Sequence, residues 1–250
     1  MAITTLIILI VLFFFTSVIG VVTGGNSLIT VPVMFQFGID EKAAVATNMF
    51  GLVFMAVGGT IPFLRRGTIE YRRISPLVIL TVVSSALGAA LVGFITNQVI
   101  RLIVSAAMIA VIVFTLVKRD SDVGERGKVS QGYYLLTYIL TFVLGIYGGL
   151  YSGGYVTILT AVYVAFFGMT FTEAVASTKF INVFSSIVAT VVFMWQGLVN
   201  YKLGLILAVV MFAGAYIGAY YAAKMDDVWL KRIFLGAVFL LAVKTLYDFL

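Results

Sequence analysis

No cysteine and no histidine occur among the 250 residues of this chain. Disulfides and thiolate nucleophiles are therefore excluded. So is a serine activated by an imidazole, and the donor sets of most transition-metal sites cannot be assembled. Charge is scarce as well: 16 Lys and Arg and 10 Asp and Glu make up 10% of the chain, where a soluble domain carries roughly a quarter. The acids are Asp40, Glu41, Glu70, Asp120, Asp122, Glu125, Glu173, Asp226, Asp227 and Asp248. Every one falls at the end of an apolar segment or in a loop, so no carboxylate is placed for a proton relay, a buried cation site or an intramembrane aspartyl protease. Only three prolines and no low-complexity run interrupt the sequence, which leaves no place for a separate catalytic domain. The sequence contains no cofactor motif, and an enzyme is not expected.

What is present is apolar: 62% of residues are hydrophobic and the mean hydropathy is +1.16. So little charge cannot cover a surface facing water, and the solvent must be lipid. A membrane span needs about 20 apolar residues, and charges and turn residues divide this chain into about eight such segments. They cover residues 3–37, 43–64, 74–95, 99–117, 133–167, 173–195, 203–223 and 228–249. The expected fold is an all-α multi-pass membrane protein. The first segment lacks a basic leader and continues uncharged to Asp40, so it reads as a retained span rather than a signal peptide. The net charge of +6 sits at segment ends, where anionic headgroups account for it. Nucleic acid is not an expected partner; the lipid bilayer is.

The chain repeats itself. Shifting it by 130 positions aligns Gly24 with Gly154, Thr30 with Thr160, Phe37-Gly38 with Phe167-Gly168, Ala44-Val45-Ala46 with Ala174-Val175-Ala176, and Gly88-Ala89 with Gly218-Ala219. Residues 20–118 and 150–248 share 22 identities in 99 pairs. We divide the chain into repeat 1 (1–117), a polar cytoplasmic linker (118–132) and repeat 2 (133–250). Arg65, Arg66, Arg72 and Arg73 in one loop, and Lys118, Arg119, Arg126 and Lys128 in the linker, assign that side to the cytoplasm. If segments 1 and 5 each cross once, the repeats are parallel. If each turns back as a hairpin, they are inverted and Lys224, Lys231 and Arg232 join the other cytoplasmic charges, which concentrates the positive charge better; this is the preferred reading.

Segments 1 and 5 are too long for one span, and each carries a small-residue cluster: Thr23-Gly24-Gly25-Asn26-Ser27, and Gly148-Gly149 followed by Ser152-Gly153-Gly154-Tyr155. Glycine costs about 1 kcal/mol in a helix interior, and unwound backbone survives in a bilayer only where protein or a cavity satisfies it. Small residues also let helices pack closely, but recurrence at matching places is the pattern of a transporter binding site. Each segment is expected to be a long helix, a break and a half-helix. Polar residues cluster at similar depth: Thr47 and Asn48, then Ser177, Thr178, Lys179 and Asn182. Hydroxyls, amides and free N–H groups at half-helix N-termini donate to oxyanions. Taken singly, such residues also serve as interhelical hydrogen-bonding glue. Lys179 lies well inside an apolar run, where it either snorkels to the interface or anchors an anion.

The stretch TGGNSLITVPVMFQFGIDEKAAVATNMF, followed by GGTIPFLRRGTIEYR, resembles the sulfite exporter TauE/SafE family, also called the toluene sulfonate uptake permease family (TSUP). The second copy, SGG followed by FFGMTFTEAVASTKFINVFSSIVATVVFMWQGLVNYK, is similar to its second repeat. The resemblance spans about residues 20–250. It implies a plasma-membrane carrier of about eight spans for sulfite, sulfoacetate or a related sulfur oxyanion or organosulfonate. The expected function is secondary transport, with export the favoured direction. An anion channel and a non-transporting scaffold subunit are the alternatives.

Overall fold

A computed structural model of the chain describes residues 3–117, 131–226, 228–230, 232 and 236, with side chains from 111 to 131 excepted. The linker at 118–130 and most of the eighth segment, 228–249, lie outside the described residues. Those described form helices and short turns only: α1 (Ile3–Thr23), α2 (Asn26–Gln36), α3 (Glu41–Arg65), α4 (Tyr71–Phe94), α5 (Asn97–Val117), α6 (Gln131–Leu150), α7 (Tyr155–Phe166), α8 (Phe171–Trp195) and α9 (Tyr201–Ala222). Among them, α1, α3, α4, α6, α8 and α9 are long and apolar enough to cross a bilayer.

Both expected breaks are present, because Gly24 and Gly154 take φ of 73° and 77°, a left-handed turn that ends one helix and starts another at little cost only for glycine; Gly148 and Gly149 remain helical in α6, so the second break begins only after Leu150. At each break the chain folds back. Gly20 lies so close to Asn26 that a Cβ there would sit 2.9 Å from the Asn26 Cβ, and the Tyr155 ring lies against Gly148. The half-helices α2 and α7, with 11 and 12 residues, are each about 17 Å long, half a bilayer core. Among the described residues, the glycines with positive φ are Gly24, Gly38, Gly67, Gly154, Gly168 and Gly197, three pairs each 130 apart. Thus the turn chemistry repeats along with the sequence. The starts of α3 and α8 repeat too: Asp40 accepts from the Ala43 N–H at 3.0 Å, and Thr170 and Glu173 form a reciprocal capping box. Helices α4 and α9 begin three and two residues before the apolar runs do and carry Arg72, Arg73 and Lys202 in their first turns. The backbone there bonds internally whatever the side chain, so the helix continues into the headgroup region.

The helix ends gather at two faces. At one, Arg66 donates to the Ala223 carbonyl. Arg73 donates to the Phe167 carbonyl with its guanidinium 4.5 Å from the centre of the Phe167 ring. At the other, Asn97 Nδ2 donates to Asp40 Oδ2 at 2.6 Å, Arg101 pairs with Glu41, Gln196 Nε2 donates to the Ala89 carbonyl at 3.3 Å, and the Asn200 N–H donates to Thr47 Oγ1 at 3.0 Å. It follows that α3 and α9 run one way and α4 and α8 the other. The half-helix α2 ends at the second face and α7 at the arginine-rich one, so their N-termini meet in the middle.

The inside-out distribution of polarity is the strongest sign of solvent. Ser17, Thr30, Thr47, Thr81, Ser84, Ser85 and Thr178 are wholly buried, while Ile3, Phe15, Ile79, Val83, Leu205 and Val209 face outward. That arrangement is stable only where the surroundings are hydrocarbon. Trp195, 91% exposed at the end of α8, suits the interfacial belt. Glycines close the interior: Gly58 of α3 lies against the Phe212 carbonyl of α9, and Gly214 of α9 against the Phe14 carbonyl of α1, close approaches of the kind that hold membrane helices together.

Candidate functional site

A small cavity lies where the two breaks meet. Leu52, Met55 and Ala56 line it from the middle of α3, Lys179 and Asn182 from the middle of α8, Gly20, Gly24, Asn26 and Ser27 from the first break, and Ser152 and Val156 from the second. A water-sized sphere has about 10 Å³ in which to move, near the smallest space that holds one water molecule.

The two breaks are bound to each other across this cavity. Thr157 Oγ1 donates to the Thr23 carbonyl at 2.5 Å, Tyr151 Oη donates to the Ser27 carbonyl at 2.8 Å, and Lys179 Nζ donates to the Gly20 carbonyl at 3.3 Å. Lys179 is 3% exposed. Among the described residues no carboxylate pairs with it. An ammonium has three donors and its one carbonyl is shared, since Gly20 O also accepts the Gly24 N–H at 2.8 Å. Asn26, also 3% exposed, has no partner at either amide atom. Neither α2 nor α7 has a side-chain N-cap, so both present unmet N–H groups and the positive end of a helix dipole at the break. A cation, an unpartnered amide, hydroxyls and two helix N-termini, with no acid opposite, form a site with surplus donors. Such a donor set has the chemistry to take an anion.

Of the residues singled out by sequence, Gly24, Asn26, Ser27, Ser152, Lys179 and Asn182 line the cavity. Others support it. Thr23 offers its carbonyl to Thr157 and its hydroxyl accepts the Gly25 N–H at 3.4 Å. Asn48 braces α2 by donating to Ser27 Oγ at 2.8 Å and accepting from Thr30 at 2.9 Å. Thr178 makes the matching contact in repeat 2, with Thr160 at 3.1 Å. The Gly153 carbonyl accepts from Tyr147, and Gly154 supplies the turn. Ser177 is buried beside them in α8. Two lie elsewhere. Thr47 binds the Asn200 N–H near the second face, and the Tyr155 ring turns away onto Gly148.

Sequence reasoning missed Gly20, Thr157, Tyr151, Leu52, Met55, Ala56 and Val156. The 130-residue shift held a signal for three of them: Thr157 is the mate of Ser27, Leu52 of Asn182 and Val156 of Asn26. Tyr151 has no such signal, because its mate is Val21. Among the described residues, no group of three acids could hold a metal ion.

The family model described as "Sulfite exporter TauE/SafE" matches residues 9–245. The chain is 28% identical over 236 residues to "Probable membrane transporter protein ORF9" of Sinorhizobium sp, covering 94% of this chain and 90% of that one. It is 25% identical over 240 residues to a "Probable membrane transporter protein" of Haemophilus influenzae, covering 94% and 92%. It is also 25% identical over 242 residues to "Probable membrane transporter protein YfcA" of Escherichia coli, covering 95% and 89%. No solved structure matches significantly.

Proposed function

This chain belongs to the sulfite exporter TauE/SafE family, and from that premise we propose that it is a secondary transporter for a small sulfur oxyanion or organosulfonate, such as sulfite or sulfoacetate. At the coarser level it is a multi-pass membrane transporter of the plasma membrane. The observation that carries the finer reading is Lys179: a buried ammonium without a carboxylate, facing an amide without a partner, where two uncapped half-helices meet. Removing a lysine from water to the middle of a bilayer costs about 3 kcal/mol on insertion scales, and an anionic guest offsets that cost.

In this reading the two repeats, 1–117 and 133–250, are inverted and joined by the 118–132 linker. The hairpins α1–α2 and α6–α7 support it, as does the face that Arg66, Arg73 and Lys224 share. That face is cytoplasmic. Rocking of one repeat against the other exposes the cavity first to one side, then to the other. The cavity's tightness favours a carrier caught closed over a conducting channel. Export is the favoured direction, since an inside-negative potential expels an anion with about 2.3 kcal/mol per charge per 100 mV.

A thermal-shift series with sulfite, thiosulfate, sulfate, sulfoacetate and taurine tests this. A ligand at 100 times its Kd stabilises the folded protein by about 2.7 kcal/mol. Lys179→Met, which copies the repeat mate Met49, is expected to abolish that gain without loss of fold. Undiminished binding by that variant, or no response to any of the anions, removes the reading.

A further inference from the structure

This inference rests on the transport reading and concerns the way out of the cavity. Helices α3 and α8 are repeat mates, yet they differ beyond the cavity. On α8, Asn182, Ser185, Ser186 and Thr190 share one face at intervals of three and four residues, and all are buried. Their mates on α3 are Leu52, Met55, Ala56 and Thr60, so in repeat 1 this stretch is mostly apolar.

Tyr155 joins the α8 stripe from α7. With its ring on Gly148, its hydroxyl comes beside Thr81 of α4 and Ser185 of α8. It is fully buried and within reach of both, but forms no well-aligned hydrogen bond to either. The protons of its neighbours are committed elsewhere: Thr81 donates to the Leu77 carbonyl at 2.6 Å, and Ser185 to the Asn182 carbonyl at 3.3 Å. Ser186 donates back to the same Asn182 carbonyl. Thr190 Oγ1, two turns beyond Asn182, has no partner at all. Hydroxyls on a membrane helix bond back to their own backbone when no other acceptor is present, and buried hydroxyls with no partner are exceptional. Here two of them flank one stripe, which leads from the cavity toward Gln196 and the face opposite the arginine loop.

We propose that Tyr155, Ser185, Ser186 and Thr190 form a second anion subsite on the outer side of the cavity, a neutral cradle of hydroxyl donors that receives the oxyanion from Lys179 on its way out. Without a cation the cradle holds the anion briefly, which suits passage and not storage.

The test combines Tyr155→Phe with Thr190→Val, which delete the two unpartnered hydroxyls and keep the shapes. Binding of sulfite and sulfoacetate is read by thermal shift, and flux from loaded liposomes by release. The double variant is expected to melt like the wild type and to bind within twofold of it, while flux falls at least tenfold. Ser186→Ala with Thr190→Val serves if Tyr155→Phe does not fold, with the same expectation. Flux at the wild-type rate, or loss of binding and melting temperature together with flux, overturns the subsite while leaving the cavity reading in place. Wild-type protein that neither binds nor moves either anion overturns both.

Discussion

Gly24 answers two demands at one position. Its φ of 73° lies where an L side chain costs roughly 1–2 kcal/mol, and a Cβ there would sit 2.6 Å from the Thr157 backbone nitrogen and 2.8 Å from the Val156 Cβ. Gly67 has a φ of 64° but nothing within 4 Å of such a Cβ. The pair separates backbone strain from crowding. Gly67→Ala is expected to lose only the conformational part, and Gly24→Ala about 1–3 kcal/mol more, the usual cost of overpacking. Denaturant titration in detergent reads both, and equal losses would mean that the second break does not press on the first. Lys179 shows the same dependence on context. Its sequence position allowed either snorkelling or burial; the side chain is buried and reaches across to the Gly20 carbonyl.

At the scale of the element, each repeat builds a long helix, a glycine turn and a half-helix, then fixes the half-helix to the next span through one polar side chain. In repeat 1 the fastener is Asn48, with bonds to Ser27 and Thr30. In repeat 2 it is Thr178, with one bond to Thr160 and a fallback to the Val175 carbonyl at 3.0 Å. Interhelical hydrogen bonds in membranes contribute about 0.6 kcal/mol on average. Asn48→Ala, which removes two, is therefore expected to cost about 1 kcal/mol and weaken anion binding through Ser27. Thr178→Val should cost about half as much. A double-mutant cycle of Asn48→Ala with Ser27→Ala measures the coupling; additivity would place the brace elsewhere.

For the whole molecule, the directions of the helices decide which loops share a side. The arginine loop lies with Ala223 and Phe167, and the α4–α5 turn lies with Asp40 and Gln196. A chain without cysteine allows a direct check, since any introduced thiol is the only one. Glu70→Cys and Gln98→Cys, both at exposed positions, are expected to react with an impermeant maleimide from opposite sides of intact cells, Gln98→Cys from outside. Labelling of both from one side contradicts the two-faced arrangement, and outside labelling of Glu70→Cys alone reverses the orientation.

Composition alone determined that this chain lives in lipid: with 10% charge no other solvent can satisfy its surface. Local chemistry pointed to the breaks, because Gly24 and Gly154 recur 130 positions apart within clusters of small and polar residues, whereas Gly58-Gly59 in an apolar run stay helical. The polar content of the site was legible for the same reason, since Asn26, Ser27, Ser152, Lys179 and Asn182 are costly in hydrocarbon wherever they sit. Direction was legible only as the preference that the Lys and Arg loops gave, and facing was not legible. A glycine break reads identically whether the chain continues across the bilayer or folds back, and only the packing of Gly20 on Asn26 and of Tyr155 on Gly148 decided for the fold-back. The same packing turned Tyr155 away from the cavity and set Leu52, Met55 and Ala56 around it, because apolar side chains carry no mark of which neighbour they will meet until the helices cross.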